Sequence, residues 1–559
     1  MSGLTVLLLG GYGTFGTRIV RLLRGEEDLH LIVAGRSLAR AKACVAEIGG
    51  KARLSALELD RNEITPARLH EIRPDLLIDA SGPFQIYGDA YRVPAACMEV
   101  GIDYADLADA SGFVTGIAQL DEPARAAGRF ALSGLSTCPA LTGAAIAALT
   151  EGWQRIETIE GGIAPSPFAT MGRNVVDAIL GYAGKPVPIR RGGRDRGASA
   201  LIDARHRTVA PPGVLPLGRR RFTLVDVPDL VLDRARFNAL RDQWFGAATQ
   251  PAILHRLLSI AAWLVRLRLL KSLSWLAGPA HAVMRRVRWG EHRGGMFVGA
   301  SGVDAGGRKR RRSWHLIAEG DDGPFVPALG TAILVRQMLR GHRPEAGARS
   351  AARVFALSDF EDAFGGLAIR AGIREDEDEA ALYPRLLQGA WSELPEAIRA
   401  MHAAPQGLTA RGTARVDRGG NPLARFAGWL NEFPSAGTDI PVTVRFSVRD
   451  GIERWERNFA GKRFVSFQRA GTGALTHLLA ERFGPLTFGL ALVVEGGRLR
   501  LIARGWRAFG IPMPRWLLPT GEAFEHVVEG RFAFHVEIAH PLTGLIVRYR
   551  GTLSPVDPE

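Results

Sequence analysis

The feature that most constrains this chain is a run of glycines close to its start. Residues 4–9 are apolar apart from Thr5, as a strand buried on both faces should be. They lead straight into Gly10-Gly11-Tyr12-Gly13-Thr14-Phe15-Gly16. Residues 14–24 then take on helical spacing, with Ile19, Val20, Leu22 and Leu23 apolar. In this setting each glycine has its own task. Gly11 permits the tight turn, Gly13 lets the backbone approach a pyrophosphate, and Gly16 lets the helix pack on the strand. The open helix N-terminus then offers N–H groups and a partial positive charge to phosphate. The strand–loop–helix predicts a dinucleotide-binding βαβ unit in which Gly11, Tyr12, Gly13, Thr14, Phe15 and Gly16 contact the cofactor.

The rhythm continues over residues 1–150. Strand-like runs recur at 29–34, 57–59, 76–80 and 130–133, and helical patterns at 38–47, 88–100 and 114–127. That alternation predicts a Rossmann doubly wound parallel sheet. The second strand ends in Ala34-Gly35-Arg36-Ser37. An acid there would bond both ribose hydroxyls of NAD, and none is present. Arg36 suits a 2′-phosphate through its planar fork, with Ser37 as a further donor and Arg40 one turn on, so the expected cofactor is NADP(H). Asp79-Ala80-Ser81-Gly82-Pro83-Phe84 follows another strand end, where ligands of open α/β sheets bind. Ser81, Gly82 and Pro83 are placed beside the ribose and nicotinamide. Gly101-Ile102-Asp103-Tyr104-Ala105-Asp106-Leu107 closes a further strand. Tyr104 and Asp106 are the candidate catalytic residues, as proton donor or substrate orienter; structural hydrogen bonding is the alternative for both.

Taken together, the glycine-rich opening, AGRS at 34–37, ASGPF at 80–84, Ala96-Cys97 and GIDYADL at 101–107 resemble saccharopine dehydrogenase-like oxidoreductases. GMFVGASGVDAGG at 295–307 and the helix starting at Pro327-Ala328 resemble that family's second domain. The resemblance spans roughly residues 1–370 and implies a substrate domain packed over the nicotinamide. The chain departs from saccharopine reductases after the last Rossmann strand. It reads Ser133-Gly134-Leu135-Ser136-Thr137-Cys138-Pro139-Ala140, without that family's acids and histidine. An amino-dicarboxylate substrate is therefore not expected. Residues 381–559 resemble an uncharacterised bacterial domain found fused to such oxidoreductases, through Trp455-Glu456-Arg457-Asn458-Phe459, Glu481-Arg482-Phe483-Gly484-Pro485, Gly510-Ile511-Pro512-Met513-Pro514 and Tyr549-Arg550-Gly551.

Residues 151–372 read as an α+β substrate domain, with loops and short strands over 185–221. The five acids between Glu375 and Glu379 mark 373–380 as an acidic linker, because like charges resist burial. Beyond it, strands dominate. They are expected at 442–448, 453–458, 464–468, 487–494, 499–503, 532–538 and 545–553, with a tight hairpin at Gly496-Gly497. This β-rich antiparallel C-terminal domain, rich in aromatics, suits a barrel that packs a core or holds an apolar ligand.

The tract 251–289 is helical, strongly apolar and basic, and contains no acid. Gly278-Pro279 is a candidate break in it. An anionic membrane surface, a greasy pocket and a homodimer interface would each suit this composition. The net charge of +14 adds to that basic balance. The run Arg308-Lys309-Arg310-Arg311-Arg312 looks like a hairpin tip, and with only Trp314 beside it no nucleic-acid site is expected. Three cysteines without a CxxC pair suit a reducing cytoplasm and argue against a zinc site. No signal peptide, membrane span, metal motif or hydrolase nucleophile is read from the sequence. Tyr182 and Lys185 do not form a short-chain dehydrogenase pair, since they lie three apart with a glycine between. The sequence thus predicts a cytoplasmic NADP-dependent oxidoreductase, peripheral on a membrane if the tract binds one, acting on an apolar or lipid-like substrate. The alternative is a non-catalytic NADPH-sensing lipid-binding or adaptor protein.

Overall fold

The computed structural model describes residues 3–169, 172–376, 381–403, 407–430 and 432–556. The chain forms two compact units, one of residues 1–207 with 220–370 and one of 208–219 with 371–559.

The first unit opens with a parallel sheet. Its strands are β1 (Leu4–Leu9), β2 (Leu29–Gly35), β3 (Arg53–Glu58), β4 (Leu76–Asp79), β5 (Asp103–Asp106) and β6 (Phe130–Ser133). The spatial order is β3-β2-β1-β4-β5-β6, followed by Gly347–Ser350 at the far edge. This is the doubly wound order, with the reversal at β1 between β2 and β4. Val6 to Leu9 are fully buried, which is why their run carries no polar residue. The first helix, α1 (Gly16–Leu23), buries Ile19, Val20 and Leu23.

A second, mixed sheet completes this unit. Its order is Ala204–Arg207, Arg220–Leu224, Asp242–Ala247, Trp153–Ala164, Arg293–Asp304, Lys309–Glu319 and the edge strand Ile369–Glu375, of which residues 369 and 370 belong to this unit. Gly161 and Gly162 let three rings close over the middle strand. A Cβ on Gly161 would stand 2.5 Å from the Phe245 ring, and one on Gly162 2.7 Å from Phe297 and 2.8 Å from Phe222. Most of the basic run at 308–312 lies in the strand rather than at the tip, and Arg310 is paired with Asp304 at 2.8 Å.

Two expectations need correction. Gly278-Pro279 does not break the helical tract. The helices are Ala252–Arg266 and Ala277–Arg286, with the interruption between them. Gly278 and Pro279 lie in the first turn of the latter, where a proline has no intrahelical N–H to lose. Residues 373–375, expected in the acidic linker, instead complete the strand Ile369–Glu375. The rest of that expected linker, 377–380, lies outside the described residues.

The second unit is a closed antiparallel barrel. Going round, its ten strands are Leu486–Glu495, Leu479–Phe483, Lys462–Ala470, Ile452–Phe459, Gly437–Arg449, Leu408–Arg418, Gly544–Val556, Arg531–His540, Ala523–Val528 and Arg498–Ala508, the last pairing back to the first. Closure removes the open edges that an antiparallel sheet otherwise exposes. The hairpin Glu495–Arg498 turns on Gly496 and Gly497, at φ of 56° and 72°. Both positive angles are those of a two-residue hairpin, which glycine adopts without strain.

Candidate functional site

The carboxyl ends of β1, β2, β4, β5 and β6 carry the candidate residues. The turn after β1 is closed by Gly13 N–H donating to the Gly10 carbonyl at 2.8 Å, and Gly11 N–H donating to Ala34 at 3.1 Å. A Cβ on Gly16 would lie 2.2 Å from the Gly10 oxygen and 2.6 Å from the Gly11 Cα. Only glycine permits that approach of helix to strand. No side chain caps the start of α1. An uncapped helix N-terminus behind a glycine-rich turn is what a pyrophosphate needs, so these residues fit the dinucleotide.

The turn and the end of β2 interlock. Tyr12 lies flat on Gly35, where a Cβ would meet its ring at 2.5 Å. The Tyr12 hydroxyl oxygen accepts from the Ser37 N–H at 2.9 Å, and Arg40 lies over the ring at 4.7 Å. Ser37 caps the helix Leu38–Ile48, its Oγ accepting from the Arg40 N–H. The hydroxyl proton stays available to a phosphate oxygen. Arg36 and Arg40 are both exposed. Two guanidiniums and a hydroxyl, with no acid among residues 34–37, would fit a 2′-phosphate.

Ser81 belongs to a knot of side chains brought together from separate stretches of the chain. Its N–H and Oγ both donate to Asp79 Oδ1, and its Oγ lies 2.9 Å from the Tyr87 hydroxyl. Asp79 Oδ2 pairs with Arg61 Nε at 2.9 Å, both groups buried. Arg61 also lies 3.7 Å above the Tyr87 ring. Burial, then the Asp79 charge, pushes the Tyr87 phenol up to about 12. The knot ties Ser81, just before Gly82 and Pro83, to the end of β4.

The two candidate catalytic residues have different surroundings. Tyr104 is 0 % exposed and packs in the core beside Leu77, Val93 and Cys97, its hydroxyl without a hydrogen-bond partner. Asp106 ends β5. Its Oδ1 accepts from the Ala108 N–H at 2.9 Å, the Gly134 N–H at 2.8 Å and the Ser133 hydroxyl at 3.0 Å. Its Oδ2 is buried and unpartnered. Burial pushes Asp106 up to about 7 against the downward pull of those bonds.

A further group joins this edge from distant positions. Asp109 accepts from Gln85 at 3.0 Å, and Asp226 accepts from Ser111 at 2.9 Å. Tyr182 ends the helix Arg173–Tyr182, and burial, then the Asp109 and Asp226 charges, pushes its phenol well up. Lys185 is exposed. Gly172 lies beside the glycine-rich turn, where a Cβ would be 3.3 Å from Thr14 Oγ1. Nothing in spacing or composition links 85, 109, 182 and 226; only the fold joins them.

Residues 6–132 match the family described as the saccharopine dehydrogenase NADP binding domain, and residues 394–553 a domain of unknown function, DUF4166. No curated protein matches the chain. Among solved structures, the chain is similar to saccharopine dehydrogenase (L-Glu forming) from Saccharomyces cerevisiae. The identity is 14 %, with 66 % of this chain and 100 % of that one covered, at a TM-score of 0.49. It is similar also to GenD2 from gentamicin A biosynthesis, solved with NAD, at 11 % identity, 67 % and 97 % coverage and a TM-score of 0.30. A probable dehydrogenase from Thermotoga maritima follows at 9 % identity, 64 % and 93 % coverage and a TM-score of 0.31. With its glycine cradle, its acid-free β2 end and the matched N-terminal family, the chain is an oxidoreductase built on a saccharopine dehydrogenase NADP-binding domain and joined to a DUF4166 domain.

Proposed function

We propose that this oxidoreductase acts on an apolar, lipid-like substrate that it meets at an anionic membrane surface. The observation that carries the reading is the orientation of the tract 251–289. A helix on a water-soluble protein turns its apolar stripe inward. In Ala252–Arg266 the buried positions are His255, Ser259 and Ala262, while Ile253, Leu257, Ile260, Trp263 and Leu264 face outward. Ile253 is 57 % exposed; further on, Leu269 is 69 % and Trp289 73 %. Arg256, Arg266, Arg268, Lys271, Arg285, Arg286 and Arg288 are exposed among them, and the tract holds no acid. Such a face complements an anionic bilayer, where each cation contributes about 1 kcal/mol. Among the described residues no helix is long and apolar enough to cross a membrane. The face is therefore read as lying on a surface.

The tract also adjoins the cofactor edge. Ala277–Arg286 packs on Arg173–Tyr182, the helix that begins beside Thr14 and ends at Tyr182. When bound, the nicotinamide gives or takes the hydride. The chain's own residues do the rest. The turn 11–16 and the α1 N-terminus bind the pyrophosphate, and Arg36 and Ser37 the 2′-phosphate. Asp106 holds a proton near neutral pH and is the group proposed to pass it. Tyr104, sealed in the core, is assigned a structural part.

Flotation of the purified protein with vesicles of phosphatidylcholine and phosphatidylglycerol tests the surface. Binding should fall steeply with salt and vanish without the anionic lipid. A dimer in sedimentation together with no flotation would assign the face to a second copy instead. Oxidation of NADPH in the presence of a total lipid extract tests the substrate class. No turnover with the extract would remove the lipid assignment.

A further inference from the structure

The barrel encloses a cavity of about 510 Å³. That lies within the roughly 300–1,000 Å³ of sites that hold small molecules. Its wall is largely apolar, with Val442, Phe446, Phe459, Phe464, Leu501 and Phe532 among the lining side chains. One connected set of polar groups interrupts it. Arg457 Nη1 donates to Ser466 Oγ at 2.8 Å and Nη2 to Glu481 Oε1 at 3.3 Å. The Ser466 hydroxyl and the Gln468 amide donate to the same Glu481 oxygen at 2.7 and 3.0 Å. Tyr383 donates to Gln468 Oε1 at 3.1 Å. Its ring stacks on His402 with centroids 3.8 Å apart, and His402 Nε2 lies 2.6 Å from Glu525 Oε2.

A hydrogen-bonded ion pair inside an apolar wall does not by itself stabilise a fold better than apolar residues of similar volume would. A recognition role accounts for keeping one. The charges decide what is recognised. Glu432, the fourth described lining acid, is exposed; of the enclosed ones, Glu481 faces Arg457, Glu525 faces His402, and Glu537 faces Arg548 at 2.6 Å. Among the described lining residues there is one arginine and no lysine. A ligand carboxylate would be buried beside glutamates with no cation to spare, and a ligand ammonium would find those glutamates already paired. The mouth shows where a ligand would enter. Gly484, Pro485, Thr520 and Gly521 line the cavity and are exposed. The Phe509 N–H donates to the Pro485 carbonyl at 2.9 Å, placing a ring that is 81 % exposed at that rim.

We propose that the barrel is a binding site for one elongated apolar molecule bearing an uncharged oxygen function, a hydroxyl or a carbonyl, which the lining groups Arg457, Glu481, Gln468 and Tyr383 receive, with Ser466 bridging Arg457 and Glu481. The proposal stands on the barrel alone and does not depend on the membrane reading. The test is Nile red fluorescence on the full-length protein, followed by competition. Nile red should bind one per chain with a blue-shifted emission. 1-Tetradecanol should displace it at least tenfold more effectively than tetradecanoate or tetradecylamine. Leu501→Trp fills the cavity and should abolish binding, while leaving NADPH fluorescence on the protein and the far-ultraviolet circular dichroism unchanged. Should that variant misfold, Ala503→Phe on the same strand fills the same space. Leu257→Asp on the helical tract should leave Nile red binding intact. Undiminished Nile red binding by a folded cavity-filled variant overturns the site. Displacement by tetradecanoate or tetradecylamine as effective as by the alcohol overturns the ligand class.

Discussion

At the scale of single residues, Arg36 and Asp106 carry the most chemistry. Arg36 is exposed at the end of β2 beside Ser37 and Arg40, with no acid in the motif. A charge-assisted hydrogen bond to phosphate contributes about 1.5–3 kcal/mol, so Arg36→Asp should weaken NADPH by roughly 10- to 100-fold. NADH should be nearly unaffected, because it has no 2′-phosphate. Equal losses for the two cofactors in a fluorescence titration would remove the assignment. Asp106 gives a pH signature. Its folded pKa of about 7 lies above the ordinary 3.8. The folded state therefore holds a proton that the unfolded chain has released. This contribution to stability is complete below about pH 3.8 and is lost as pH rises through about 7, at roughly 1.4 kcal/mol per pH unit within that window. Asp106→Asn keeps an oxygen for the Ala108 and Gly134 N–H groups but cannot ionise. Its stability should fall less steeply than the wild type's between pH 4 and 7 in denaturant titrations. Parallel slopes would show that Asp106 ionises normally.

At the scale of elements, legibility followed burial. β4 is buried throughout and β1 from Val6 to Leu9, so their apolar runs stand out in the sequence. β3 is a polar edge strand, and only its last two residues fell within the run expected at 57–59. In the barrel, the strands Leu408–Arg418, Leu479–Phe483 and Ala523–Val528 are not among those expected from the sequence. The first fully buries only Ala410, Ala414 and Val416, between arginines and threonines, and small residues give a faint alternation. The glycine turn was legible because covalent neighbours build it. The Arg61–Asp79–Tyr87 knot and the Tyr182–Asp109–Asp226 group were not, since their members meet only after folding. The tract 251–289 lies between these cases. Its composition was plain, yet which face would be buried depended on the helix beneath. The exposed face makes its own prediction. Leu257→Asp with Ile260→Asp should cut vesicle binding by roughly tenfold or more per site, the cost of keeping such a side chain out of an apolar phase. Folding stability should change by only about 0.5 kcal/mol, as both positions are exposed. Flotation and thermal melts on the same preparation separate the two. A large drop in melting temperature would mean that the face packs against protein.

At the scale of the whole molecule, the chain joins two units with different ligand logic. The first offers backbone N–H groups and guanidiniums to a phosphorylated cofactor. The second encloses a space in which every charge near the polar wall already has its partner. Each unit has its own core, so unfolding should not be a single two-state event. A ligand that binds only the folded form of one unit stabilises that unit, by about 2.7 kcal/mol at a concentration one hundred times its dissociation constant. For a unit of the barrel's size this raises the melting temperature by roughly 5–10 °C. Calorimetry should therefore resolve two transitions. NADPH should raise one and 1-tetradecanol the other, with Arg36→Asp abolishing the first shift and Leu501→Trp the second. If either ligand moves both transitions together, the cofactor domain and the barrel are one thermodynamic unit, and occupancy of the barrel is coupled to the state of the cofactor site.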